Sequence, residues 1–229
     1  MADEPVYLVR VRMRVDRLID HGRRRKMPLH DIDLGYLAHS YLRELWPEQA
    51  PQPFTIKRVG SRWVELWGYG GSDEARLRDY AQTYGAPELV SGVELGTLAS
   101  KPMPQFDSGR VVGFVLRACP VVRTKRPGKP EGQREIDAWL ARCIAVGVDA
   151  NSKKKHPVDR ETVYREWLDE RLERQGGAHL LSAQLVAFQR ERLWRRDHSP
   201  ERKAKKLERP DAKLRGLLRV EDGVAFLRL

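Results

Sequence analysis

Tyr36 and His39 stand three apart in the stretch DLGYLAHSYLRELWP, residues 33–47, with Ser40 and Arg43 beside them. On a helix, side chains three or four apart are neighbours. A histidine with a pKa of ~6.5 gives or takes a proton near neutrality. A cation beside it stabilises negative charge as it develops. That combination suits acid–base work on a phosphodiester. RNA carries its own nucleophile, the 2′-hydroxyl, so a positioned histidine among cations is sufficient to cleave it without a metal. The plainer reading is a surface histidine with no task. The nearness of Tyr36, Arg43 and the run Arg23, Arg24, Arg25 and Lys26 weighs against that reading.

The stretch itself reads as one short amphipathic helix. Wound at about 100° per residue, Leu34, Leu37, Ala38, Tyr41, Leu42 and Leu45 share a broad apolar face. Tyr36, His39, Ser40 and Arg43 fall on the other side. Asp33 is a natural N-cap and Pro47 a natural stop. Before this helix, VYLVRVRMRV (6–15) alternates apolar and basic residues, which predicts a strand with Arg10, Arg12 and Arg14 on its outer face. A basic loop, DHGRRRKMPLHDID, is expected to join strand and helix. FTIKRV (54–59) and RWVELWGY (62–69) read as a hairpin about Gly60-Ser61. SDEARLRDYAQTYG (72–85) reads as a helix with Ser72 as cap and Gly85 as stop, and a strand near 89–98 would close the unit. The order is β-α-β-β-α-β, the ferredoxin-like arrangement.

After a linker at 101–109, RVVGFVLRACPVV (110–122) predicts the strand that opens a second unit. A Pro/Gly/Lys-rich loop (123–132), a helix over REIDAWLARCIAVG, a basic loop NSKKKHP and a helix capped by Asp159 follow. Residues 179–220 read as two strands joined by a very basic turn, and EDGVAFLRL begins a helix. The fold class is therefore α+β. It comprises two tandem ferredoxin-like (RRM-like) units, at 1–100 and 110–229, with a helical insertion in the second at about 125–178. No tandem repeat of about 20–50 residues is present.

The chain has 229 residues, with 43 Lys and Arg against 32 Asp and Glu, a net charge of +11. Hydrophobic residues make up 41%, enough for a core. The basic excess calls for a polyanionic partner, nucleic acid first. No long apolar run marks a membrane span, and no signal peptide precedes the first strand. Two cysteines, Cys119 and Cys143, make neither a disulfide framework nor a zinc site. The expected setting is cytoplasmic.

His21, His30, Asp31 and Asp33 lie near the basic loop, yet no HExxH, CxxC or carboxylate ladder appears, so no metal and no cofactor is expected. GYGGSD (68–73) lacks the spacing of a phosphate-binding loop and reads as a turn. The basic segments 153–155 and 190–209 suit phosphate contact. Phe188 and Trp194, interleaved with those arginines, fit either stacking on RNA or the inner face of a strand. No helix with a clustered polar-basic face suggests reading of duplex DNA.

These residues resemble a family, the CRISPR repeat-RNA endonucleases of the CasE type, including type IV relatives. Tyr36-x-x-His39 followed by ELWP is similar to that family's Tyr-x-x-His helix ahead of an aromatic-Pro. GFVLRACPVVRT (113–124) is similar to its F-x-L-R-A-N-P strand, with Cys119 where Asn is usual. The helical stretch holding DAWLARC, and LRGLLRVEDGVAFLRL near the end, are the third and fourth points of likeness. In the family a glycine-rich loop and a closing strand follow; this sequence stops at Leu229 before such a loop.

The resemblance implies metal-independent cleavage of CRISPR precursor RNA at the base of the repeat hairpin, with 2′,3′-cyclic phosphate ends. It also implies retention of the product crRNA beside other Cas subunits. It implies His39 and Tyr36 as the catalytic pair, with Arg23 as a rival by analogy with type IV relatives that use arginine. Arg24, Arg25, Lys26, Arg43, Arg190, Arg192, Arg195, Arg196 and Lys203 are the expected RNA-binding residues. The alternative is a non-catalytic RNA-binding subunit of a CRISPR ribonucleoprotein.

Overall fold

The computed structural model describes residues 5–27, 33–126, 129–149, 157–195 and 205–227. Side chains at 125, 126, 129–134, 192–195 and 205–207 fall outside that description. The chain divides into two compact units, the first running to Pro104 and the second built from Gln105–Leu193 and Leu207–Leu229.

The first unit opens with β1 (Tyr7–Arg14). Its alternation does what the sequence predicts: Val9, Val11 and Met13 are fully buried, while Arg10, Arg12 and Arg14 face outward. The next residues depart from expectation. Val15–Arg24 form a helix, α1, in place of the start of a basic loop. Val15, Leu18, His21 and Gly22 recur at helical spacing and are buried, so tertiary packing overrides the polar composition. α1 ends in a Schellman-type cap: Met27 N–H reaches Gly22 O at 2.8 Å and Lys26 N–H reaches Arg23 O at 3.0 Å. Lys26 takes the left-handed position usual for glycine, with φ 53°.

α2 (Leu34–Leu45) is the helix anticipated at 33–47, and Asp33 caps it by accepting from Tyr36 N–H at 2.9 Å. Leu37, Ala38, Tyr41, Leu42 and Leu45 are buried. Each buried leucine stabilises the fold by about 1.5–3 kcal/mol relative to an exposed one. Trp46 is also fully buried and donates to Leu77 O at 2.9 Å. β2 (Phe54–Val59) and β3 (Trp63–Gly70) form the anticipated hairpin.

α3 (Glu74–Tyr84) is capped by Asp73, not Ser72; Asp73 accepts from Arg76 N–H, while Ser72 is buried against Gln49. The strand expected at 89–98 is instead a short helix, α4 (Pro87–Val90), and a 3-10 turn, with β4 (Ala99–Pro102) starting later. Pro87 sits at the start of α4, where its missing N–H costs nothing. Turns, not strand alternation, bury Leu89, Val93 and Leu98. Gly92 is needed there, because a Cβ would lie 2.0 Å from the Tyr41 hydroxyl. The sheet order is β2-β3-β1-β4, all antiparallel, with the helices supplying the core on one face. This is the ferredoxin-like order.

The second unit places β5 (Val111–Ala118) beside β9 (Lys205–Val220), and β9 beside β8 (Ala178–Arg195). Counted within the unit, that is strand order 1-3-2 of the same ferredoxin-like sheet. The single strand expected over 110–122 breaks at Cys119-Pro120, since proline has no N–H for a ladder. The loop expected at 123–132 is part of a hairpin, β6 (Val121–Arg126) with β7 (Lys129–Asp137). The helix expected from residue 134 starts later, as α5 (Ala138–Ala145). α6 (Arg160–Gln175) begins at its Asp159 cap as anticipated, and α7 (Gly223–Phe226) at Asp222.

Gly216 in β9 admits a close approach: a Cβ there would lie 1.9 Å from Ser182 O. One knot ties the helices of this unit to its sheet. Arg160 Cζ lies 3.9 Å from the Trp139 ring and 4.0 Å from the Phe188 ring. Its Nη1 donates to Asp137 Oδ2 at 3.0 Å and to the Tyr164 hydroxyl at 2.7 Å. Asp137 in turn caps α5 through Trp139 N–H and accepts from the Tyr164 hydroxyl. Phe188 is thereby a packing residue, which decides between its two sequence readings.

Candidate functional site

α2 packs its buried face into the first unit's core, against α1, α4 and β2, and leaves His39 and Arg43 exposed, with Tyr36 half-buried one turn before His39. The imidazole is accessible to a ligand. No hydrogen bond joins Tyr36 to His39 among the described residues. Arg43 lies in the last turn of α2 with no ion pair among the described residues, and its charge complements the negative end of the helix dipole.

The cations at the end of α1 are exposed, but most are engaged. Arg23 Nη1 lies 3.0 Å from Asp20 Oδ1, and Arg24 Nη1 lies 3.7 Å from Glu88 Oε1. Arg25 holds Glu44 of α2 through Nε at 2.9 Å and through Nη2. Such exposed pairs are worth about 0–1 kcal/mol each, so a phosphate can compete for the guanidiniums. Lys26 is exposed.

Arg190 is exposed on β8. Arg192 and Arg195 belong to the same strand, but their side chains, like all of Arg196 and Lys203, lie outside the described residues. So do Trp194, His30, Asp31 and residues 153–155. Arg209, within the basic segment read as phosphate-binding, is 15% exposed and paired with Glu135 at 2.6 Å. It is a structural cation. Among the described residues, no three of His, Cys, Asp and Glu come together as a metal ion would require. No helix among them is long and apolar enough to cross a membrane.

The sequence offers His21 only as a candidate metal ligand beside a basic loop, whereas the structure makes it a buried helix residue. Its ring is 1% exposed and lies where α1 meets α2. Nε2 lies 3.0 Å from Ser40 Oγ, next in sequence to His39, and Nδ1 lies 3.9 Å from Glu44 Oε2. The ring packs edge-on against Tyr41. The signal was available: His21 falls between Leu18 and Gly22 on the apolar side of a helix. Burial holds the imidazole below its ordinary pKa; Glu44 opposes that and Arg25 and Arg24 add to it. The unfolded chain therefore takes up a proton at a higher pH than the folded one. The contribution of His21 to stability is complete above its unfolded value of about 6.5 and is lost as pH falls from there through its lower folded value. Thermal melting should show a lower midpoint at about pH 5.5 than at pH 7.5. The drop should shrink in His21→Gln; an equal drop in both proteins would assign it to other groups.

A family model described as CRISPR associated protein matches residues 6–229. The chain belongs to that CRISPR-associated family. Among solved structures, a CRISPR endoribonuclease Cse3 bound to a 19 nt RNA is 18% identical, with 98% of this chain and 90% of that one covered and a TM-score of 0.54. Thermus thermophilus Cse3, bound to an RNA representing a pre-cleavage complex, is 19% identical, with 98% and 89% covered and a TM-score of 0.52. A comparison with curated proteins gave no match. The likeness of fold to these CRISPR-associated structures runs over nearly the whole of each chain and includes both ferredoxin-like units.

Proposed function

We propose that this protein is an endoribonuclease that cleaves CRISPR precursor RNA at the repeat hairpin. It keeps the mature guide RNA and holds it within a cytoplasmic complex of Cas subunits. Its modules are 1–100 and 110–229. The observation that carries this reading is the exposed His39 on α2, in a CRISPR-associated protein whose fold is that of RNA-bound endoribonucleases.

In this mechanism His39 moves the proton. The scissile 2′-hydroxyl attacks the adjacent phosphorus, and the 5′-oxygen of the next nucleotide leaves. His39 takes up the 2′ proton as the new P–O bond forms and passes it to the 5′-oxygen as the old one breaks, so the proton lost at one oxygen ends on the other. Arg43, Lys26 and the guanidiniums of Arg23, Arg24 and Arg25 stabilise the extra charge on the phosphorane oxygens. Tyr36 orients the imidazole. The products are a 2′,3′-cyclic phosphate and a 5′-hydroxyl, and no water or metal enters the bond-breaking step. Arg190, Arg192, Arg195, Arg196 and Lys203 contact the hairpin backbone.

A structured repeat RNA should be cut by the purified protein in excess EDTA. The same RNA with one 2′-deoxy nucleotide at the scissile position should remain whole. Cutting of the deoxy substrate at the normal rate would rule the mechanism out. The second reading, a non-catalytic RNA-binding subunit, predicts binding of both RNAs without cleavage of either.

A further inference from the structure

The outer face of the first unit's sheet presents a pattern that the cleavage mechanism does not use. β3 directs Trp63, Glu65, Trp67 and Tyr69 outward, and β1 directs Leu8, Arg10, Arg12 and Arg14 outward. These are the two central strands. Trp67 is 39% exposed and Tyr69 40%, so both rings offer open surface on this face. Arg10 pairs in register with Trp67, with Cζ 5.8 Å from the ring; Arg12 Cζ lies 5.1 Å from the Trp63 ring. The Trp67 indole N–H donates to Glu65 Oε1 at 2.8 Å and fixes the ring's edge. Lys57 on β2 and Lys101 on β4 are exposed on either side of the central pair.

We propose that this face is a stacking platform for single-stranded RNA, engaging the unpaired nucleotides that flank the hairpin. Trp67 and Tyr69 are two residues apart on one strand face, so their rings stand about 7 Å from each other. That spacing accepts two successive splayed bases, one on each ring. Every base offers a flat face, so the contact needs no particular sequence. Duplex RNA hides those faces within its own stack, so the platform selects unpaired strand. The exposed Lys57 and Lys101 complement the phosphates on both sides, while Arg10, whose Nη2 donates to Thr97 O at 3.3 Å, stays at the sheet and backs the Trp67 ring. Arg12 and Arg14 also hold Glu94 and Asp16, which fixes their position on the face. A protein partner would bury the same rings, but the interleaved cations favour a polyanion over a protein surface. The inference rests on the RNA-binding half of the proposed function and not on cleavage.

The test is fluorescence anisotropy with a short, fluorescein-labelled adenosine oligomer. Replacing both rings, Trp67→Ala with Tyr69→Ala, should weaken binding by about 10- to 100-fold. Trp67→Phe with Tyr69→Phe should keep most of the affinity, because a flat ring remains. Indole fluorescence of the wild type should be quenched on binding, a readout that does not depend on how the variants fold. Cleavage of a bare repeat hairpin without flanks should be the same in the alanine variant and the wild type. An alanine variant that binds the oligomer as the wild type does, or a wild type whose fluorescence does not respond, overturns the platform. Loss of oligomer binding in a protein that never cleaves its hairpin would keep the platform and reject the enzyme.

Discussion

Replacing His39 with alanine should slow cleavage of the repeat hairpin by about 10²–10⁴-fold, the usual contribution of a positioned acid or base. RNA affinity should stay nearly intact, since one exposed imidazole adds little among so many cations. Single-turnover rates and equilibrium binding on the same RNA separate the two effects. Tyr36→Phe should act in the same direction but less, because the phenol orients and does not transfer the proton. Arg23→Ala is the control for the rival assignment. Arg23 pairs with Asp20 on its own helix, which makes it a weaker candidate than a free cation. A His39→Ala enzyme at the normal rate beside a dead Arg23→Ala enzyme would transfer the role to the arginine.

The other large effect is on stability. Arg160→Ala should destabilise the second unit by about 3–5 kcal/mol, as removing one partner of a buried pair does. It strips Asp137 of its counter-charge at 9% exposure and opens the space between Trp139 and Phe188. Arg160→Lys should not rescue it, because an ammonium can neither stack between two rings nor fork to Asp137 and Tyr164 together. Denaturant unfolding followed by tryptophan fluorescence would report this, since Trp139 and Trp167 lie in this unit. A loss below about 1 kcal/mol would mean that the rings carry the packing without the guanidinium.

The sequence made some of this architecture legible and hid the rest, for physical reasons. β1, the hairpin at 54–69 and the capped helices α2 and α6 announce themselves, because local periodicity and the cap residue agree with the tertiary fold. α1 was hidden because Arg and Asp fill its exposed side and only Val15, Leu18, His21 and Gly22 mark its buried one. β6 and β7 were hidden because Pro120, Pro130 and Gly132 look like loop residues until the pairing of the two strands is known. At the candidate site, the outward set Tyr36, His39 and Arg43 follows from helical spacing alone. What spacing cannot give is which cations already have partners. Asp20 sits three residues before Arg23 on the same helix and could be read from spacing, but Glu44 and Glu88 reach Arg25 and Arg24 from later elements.

Those pairs change what kind of reaction anion binding is. At the end of α1, a phosphate does not arrive at vacant positive charge; it exchanges with a resident carboxylate. A single mobile anion gains little from such an exchange, because it gives back about as much as it takes. A stiff backbone that can meet two guanidiniums at once gains on both. The carboxylates thus act as a built-in competitor that discounts every loosely held polyanion equally. What remains is a preference for the spacing of charges along a strand over their number.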